Sequence, residues 1–438
     1  MNSKFIWAVA LTAVVTLAHA ENIAADNTLS NALKEISDLK LRTDQLEKQV
    51  RDQSATVPVA PMISSGRAYM NASFDVLLNA GWSTTPDVEA IQPGDHDPKQ
   101  RGFSIRNAEL SLDGAVDPFF KAFANIVYKL EPDDTTSLEL EEAYAQSTSL
   151  PGDLQLKAGR YFAEFGRQNN QHPHAWDFVD QPLVMNRMWG SDGLKQNGAR
   201  LSWLVPTPFY TEALLGVFNG QGDDAYSFRN VGIADSNGIT RLYGHATTAR
   251  DLRGLGDLVY VPRLATSFDL TDEQTLVLGA SGAVGPNDTS PNARTEVYGL
   301  DAYWKWKPAN AGDGWPFVKF QTEVMWRHFD AGADPSAGLP EEHLHDWGFY
   351  SQVLWGFTRG WVAGLRGEYV TGNASVSADG NAQRDEAERV SPNITYYFSE
   401  FSKLRLQYNY THYADSADEQ AVWAQLEFMI GAHAAHKF

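Results

Sequence analysis

Ten of the eleven histidines lie beyond residue 20, and six of them fall in close pairs: His172/His174, His343/His345 and His433/His436. The first pair sits in "QHPHAWD" with Asp177 three residues on, and the second in "EEHLHDW" beside Glu341, Glu342 and Asp346. Imidazole nitrogen with carboxylate oxygen is a donor set for zinc and similar ions. On a strand, H-x-H places both rings on one face, and in a loop it lets them converge. The spacing points to a transient, low-affinity divalent-cation site made by His172, His174 and Asp177, joined by His343 and His345. No other cofactor is expected. The competing reading is that these are ordinary polar loop residues, since H-x-H carries no third ligand at a fixed spacing.

Catalysis finds less support. "HAWD" offers a base and an acid, but no G-x-S-x-G or comparable nucleophile motif is present. "NGQGD" (219–223) and "GLGD" (254–257) lack the strand-to-helix context of a phosphate-cradling loop and read as turns. The chain is not expected to be an enzyme. A formal net charge of −20 also excludes nucleic acid, whose binding needs a basic face.

The elements that must position these residues begin after a secretory signal. Lys4, the apolar "FIWAVALTAVVTLA" and Ala18-His19-Ala20 have its three parts, which assigns residues 1–20 to it. The chain beyond has no cysteine, so disulfides and thiolate-bound metals are excluded. Over 21–53, Leu29, Ala32, Ile36, Leu39, Thr43, Leu46 and Val50 keep the alternating three-four spacing of a coiled-coil seam. The Pro/Ser stretch 54–66 reads as an extended linker. From residue 67 to 438 the period becomes two. In "KLRLQYNYTHY", Leu404, Leu406, Tyr408 and Tyr410 alternate with Lys403, Arg405, Gln407, Asn409 and Thr411.

Sixteen such segments can be counted, and the connections between them alternate in length. Those after even strands are mostly tight, as in "VDP", "LPGD", "PTP", "LTDE" and "TRG". Those after odd strands are mostly long and Gly/Asp-rich, notably 81–102, 166–192, 220–256, 330–345 and 372–387. This pattern, with 13 Trp, 17 Tyr and 22 Phe in the chain, predicts an all-β, sixteen-stranded antiparallel transmembrane β-barrel of a Gram-negative outer membrane. Lipid and lipopolysaccharide would then surround it, and both ends would be periplasmic. A soluble aromatic-rich carbohydrate binder would explain neither the loop alternation nor the terminal Phe438. Strand parity turns Lys319, Glu323, Arg327, Arg366, Glu368, Lys403 and Arg405 to the lumen. Arg106 has the parity of Leu110 and Leu112, so a β-bulge near Asn107 is needed to bring it inward.

The heptad segment, "GFSIRNAELSLDG", "LKAGRYFAEFG", "NGARLSWLVPTPFYTEALLGVFNG" and "SPNITYYFSEFSKLRLQYNYTHY" together resemble the phosphate-selective porin (O and P type) superfamily across most of residues 27–431. The resemblance implies a homotrimer passing small hydrophilic solutes, with a third loop folded into the lumen. That loop would be residues 166–192. Trp176, Phe178, Leu183, Val184, Met188 and Trp189 would anchor it, and Arg167, Asp177, Asp180, Arg187 and Asp192 would line the constriction. The family's phosphate channels use basic ladders, whereas this chain has 35 basic against 55 acidic residues, Lys4 of the signal included. A mixed or acidic lining favours cations. Divalent-metal uptake and anion selectivity are the alternatives to general diffusion.

Overall fold

Alternation decides which way each strand faces. Leu404, Leu406, Tyr408 and Tyr410 are 42, 50, 37 and 38% exposed, while Lys403, Arg405, Gln407, Asn409 and Thr411 are each 2% exposed or less. A water-soluble sheet would bury the first set. Here the apolar face is the outer one, as a lipid-facing barrel requires.

The computed structural model describes residues 63–65 and 68–431, apart from 116, 134, 149, 235–237 and 313. The barrel strands are β1 (Ala68–Ser83), β2 (Gly102–Ala115), β3 (Phe120–Leu130), β4 (Thr136–Ser147), β5 (Leu154–Phe162), β6 (Lys195–Leu204), β7 (Tyr210–Phe218) and β8 (Val259–Thr271). They continue as β9 (Gln274–Pro286), β10 (Arg294–Trp306), β11 (Phe317–Ala331), β12 (Glu342–Thr358), β13 (Trp361–Gly372), β14 (Ala387–Ser399), β15 (Ser402–Tyr413) and β16 (Glu419–Gly431). Each pairs antiparallel with the next, and β16 pairs with β1 from Ser73↔Gly431 to Ser83↔Ala421. The ring is therefore closed, with the sixteen strands expected from the alternation. Ile63–Ser65 adds a short strand beside the start of β1. The signal, the heptad segment, most of the linker, His433, His436 and Phe438 lie outside the described residues.

Two bulges set the inner face. Leu77 pairs with Asn107 and Leu78 with Ile105, leaving Arg106 as the extra residue, one position before the place expected. Arg106 is 2% exposed and donates to Glu131 (2.6 Å) and to the Asp95 carbonyl (2.7 Å). In β4, Asn125 pairs with Glu142 and Ile126 with Leu140, so Glu141 is the extra residue and both glutamates turn inward. Deleting Arg106 leaves Ile105 outward and Asn107 inward, so the strand keeps its register. Deleting Leu406 from regular β15 instead turns a charged or amide side chain into lipid, at about 2–4 kcal/mol for a basic residue at mid-bilayer. The heat-modifiable folded fraction on SDS gels should be near wild type for the first deletion and strongly reduced for the second.

Residues 163–194 between β5 and β6 occupy the barrel interior. The helix α1 (Leu183–Trp189) packs Leu183, Val184, Met185, Met188 and Trp189 into one buried cluster with Tyr161, Phe218, Val259, Val261, Val297, Met325 and Val370 of the wall. Those strand positions are apolar although they face inward, because they belong to one interior cluster with α1, Ala225 and Phe228. The helix stops at Gly190, whose φ of 80° suits glycine; a Cβ there would meet the Tyr226 Cβ at 2.9 Å.

Candidate functional site

The third loop is bonded to the wall along its length. Gly166 N donates to Ser281 Oγ (3.0 Å) and Gln168 N to Glu323 Oε1 (2.7 Å). Val179 N donates to Gln407 Oε1 (2.9 Å), and Leu183 N, opening α1, to Glu368 Oε2 (2.6 Å). In return, Lys403 donates to the His174 carbonyl (2.9 Å), Arg405 to that of Trp176 (2.8 Å) and Asn393 to that of Asp177 (3.0 Å). These contacts reach β9, β11, β13, β14 and β15, so side chains of the wall satisfy backbone groups that an irregular segment leaves unpaired.

Asp180 is the hub on this side. It is 1% exposed, and its carboxylate accepts from Arg366 (2.5 Å), Arg389 (3.1 Å), Gln407 (2.9 Å) and Asn409 (2.7 Å). Burial raises its pKa, but Arg366 and Arg389 overcome this and hold the carboxyl below its usual range. A similar arrangement fixes the other end of α1. Arg327 donates to Asp346 (2.7 Å) and to the Arg187 carbonyl (3.1 Å), while Arg187 reaches the Arg384 and Asp385 carbonyls at 2.8 and 2.6 Å.

The acidic and histidine groups gather against β2 and β4. His172 is clamped between Glu141 (2.8 Å from Nδ1) and Glu142 (2.9 Å from Nε2), and His174 Nδ1 lies 3.1 Å from Glu109. The two rings stack at 5.6 Å. Burial disfavours charge on His172, but Glu141, Glu142 and Glu109 raise its pKa well above the usual value. In the first loop, His96 is likewise held up to about 10: burial opposes its charge, and Asp192 and Glu141 outweigh burial. Lys195 bridges Asp192 and Glu139.

Several expectations need correction. The structure does not bring His343 and His345 to His172 and His174. Strand β12 starts at Glu342, so "EEHLHDW" lies mostly in a strand whose outward parity carries both rings. His343, 79% exposed at its side chain, meets Asp330 at 2.7 Å, and His345 stacks edge-on against His328 at 4.7 Å. Asp177 pairs with Lys319 (3.1 Å), away from the histidines. Asp180 and Asp192 are buried by their partners, and Arg187 is turned to backbone carbonyls. Of the five expected constriction residues, Arg167, stacked on Tyr303 at 3.9 Å and donating to Gln321 at 3.2 Å, and Asp177, paired with Lys319, keep partial exposure in the interior. The parity-assigned Glu323, Arg327, Arg366, Glu368, Lys403 and Arg405 all point inward and are bonded to the loop or its neighbours. Asp75, His96, Glu109, Glu141, Glu142 and Arg389 were missed. The adjacent acids in "LELEEAY" break parity just as Arg106 does, and that signal would have found the second bulge.

No family model matches the chain. A protein of Aquifex aeolicus (strain VF5), itself described only as uncharacterised, is 32% identical over 364 residues, which span 78% of this chain and 71% of that protein. Among solved structures, the outer membrane channel DcaP of Acinetobacter baumannii is similar with a TM-score of 0.54 at 12% identity, covering 85% of this chain and 100% of that one. Salmonella typhi OmpF gives a TM-score of 0.47 at 11% identity over 84% of this chain and 99% of its own. The likeness to DcaP shows the fold alone, a closed antiparallel β-barrel. At the identity and coverage found, the chain belongs to the same family as the Aquifex aeolicus protein.

Proposed function

We propose that this protein is an outer-membrane porin through which small hydrophilic solutes diffuse passively, with the third loop as its constriction. The observation that carries this reading is the inward loop bonded to charged and amide side chains across the lumen, inside a barrel whose outer face is apolar. The same reading places the barrel in lipid and lipopolysaccharide, as a homotrimer, with the short turns and both ends of the chain in the periplasm. The motifs resembling the phosphate-selective superfamily fit it, but its pairing of basic with acidic groups differs from a phosphate ladder.

Local charge outweighs global charge here. Lys305 and Lys319 face each other directly across β10 and β11, and Lys319 keeps a quarter of its side chain exposed beside the loop. With Arg167 on the same side and Asp177 as the offset, this stretch carries a cationic excess despite the acidic chain. Purified protein in a planar bilayer should show discrete conductance steps, and its reversal potential in a KCl gradient should indicate a weak preference for chloride. Lys319→Gln should move that potential toward potassium. Absence of steps would overturn the channel, and an unmoved potential would place the permeant path elsewhere.

A further inference from the structure

Asp75 projects inward from β1 and is 4% exposed, and neither of its carboxylate oxygens has a hydrogen-bond donor. It faces Glu109 of β2, 1% exposed, and His174 of the third loop, 8% exposed; one ligand atom from each lies within 4.8 Å of the others. Burying an ionised carboxylate without a partner costs several kcal/mol, so Asp75, set beside a second carboxylate and one imidazole, favours a positive group between them. The nearby ammonium, Lys403, is already engaged by Glu427 (2.7 Å) and by the His174 carbonyl.

We propose that Asp75, Glu109 and His174 form a binding site for one divalent transition-metal ion of the zinc class. Two carboxylate oxygens and one imidazole nitrogen suit zinc, whereas calcium and magnesium favour all-oxygen sets. Asn107 Nδ2 holds the Glu109 carboxylate at 2.6 Å and Asn125 Nδ2 at 3.3 Å, which supplies the orienting contacts that metal ligands need. Because His174 belongs to the loop and the other two to the wall, the ion would fasten one to the other. Binding does not depend on conduction, so this site and the channel reading stand or fall separately.

The test is calorimetric titration of the folded, detergent-solubilised full chain with zinc chloride. A saturable binding event should appear in the wild type, weaken at least tenfold in Asp75→Asn and His174→Gln, and persist in the His343→Asn/His345→Asn double variant. Identical titrations of wild type and Asp75→Asn, or loss of the event only in the outer pair, would overturn the site. A second measurement avoids variants of the site itself. In His433→Asn/His436→Asn protein, cobalt(II) should give the intense visible bands of a four- or five-coordinate ion. A spectrum no different from aqueous cobalt(II) would refute the site.

Discussion

Asp180→Ala should release the third loop and raise single-channel conductance above the wild-type value. The carboxylate is an acceptor that Arg366 and Arg389 share, and it also fixes the amides of Gln407 and Asn409. Removing it leaves two guanidinium groups, each about 1% exposed, with less than full compensation. Breaking a buried ion pair from one side costs about 3–5 kcal/mol, because the remaining charge stays desolvated. The Asp180 carbonyl still accepts from Arg366 (2.9 Å) and Glu368 still holds Arg366 (2.7 Å), so the loss falls mainly on Arg389. The barrel ladder is untouched, so the damage should be confined to loop docking. Asp180→Asn keeps the shape and loses the charge, and should fall between wild type and alanine. Conductance is the first readout, and protease cutting within 163–194 of folded barrels is the second. If Asp180→Ala matches wild type in both, the hub does not hold the loop.

The barrel was legible because membrane strands obey a local rule. Outward positions must be apolar wherever they meet lipid, so residues such as Leu404, Leu406, Tyr408 and Tyr410 announce their own strand. Arg106 was legible for the converse reason, since a charge on the outward parity forces a correction in the backbone. The interior obeys no local rule. Asp180 lies 186 residues from Arg366 and 209 from Arg389, and nothing near "DFVDQP" marks it as their partner. Once such pairs form, a residue expected to line the opening is buried instead. The histidines show the same limit. "HLH" looks like loop chemistry because it is polar, yet β12 extends past the apolar belt to Glu342, and strand parity turns both rings outward. His172 and His174 find their acids on β2 and β4, and one of these, Glu141, turns inward only because of a bulge.

Trp189→Ala tests the other half of the loop's anchorage, which rests on packing. Trp189 is 1% exposed, with Phe165 edge-on at 4.8 Å and Phe228 stacked at 6.4 Å. Truncating a buried aromatic of this size costs about 3–5 kcal/mol through lost transfer free energy and the cavity left behind. Here the cavity opens beside Phe165 and Phe228 at the end of α1, so the helix should loosen while the strands stay paired. Amide exchange over 183–190 should accelerate by orders of magnitude, with exchange in β8 to β11 unchanged, and conductance should become noisy instead of uniformly larger. The reason for the difference is geometric: Asp180 ties the loop to β13–β15, whereas Trp189 packs into the apolar cluster drawn from β5 and β7–β14. Among the described residues the two anchors have no hydrogen-bond or ring partner in common, so their free-energy losses should add within about 0.5 kcal/mol in the double variant. A larger coupling would mean that the loop docks as one cooperative unit, and a Trp189→Ala protein with native exchange at α1 would mean that packing contributes nothing to holding it.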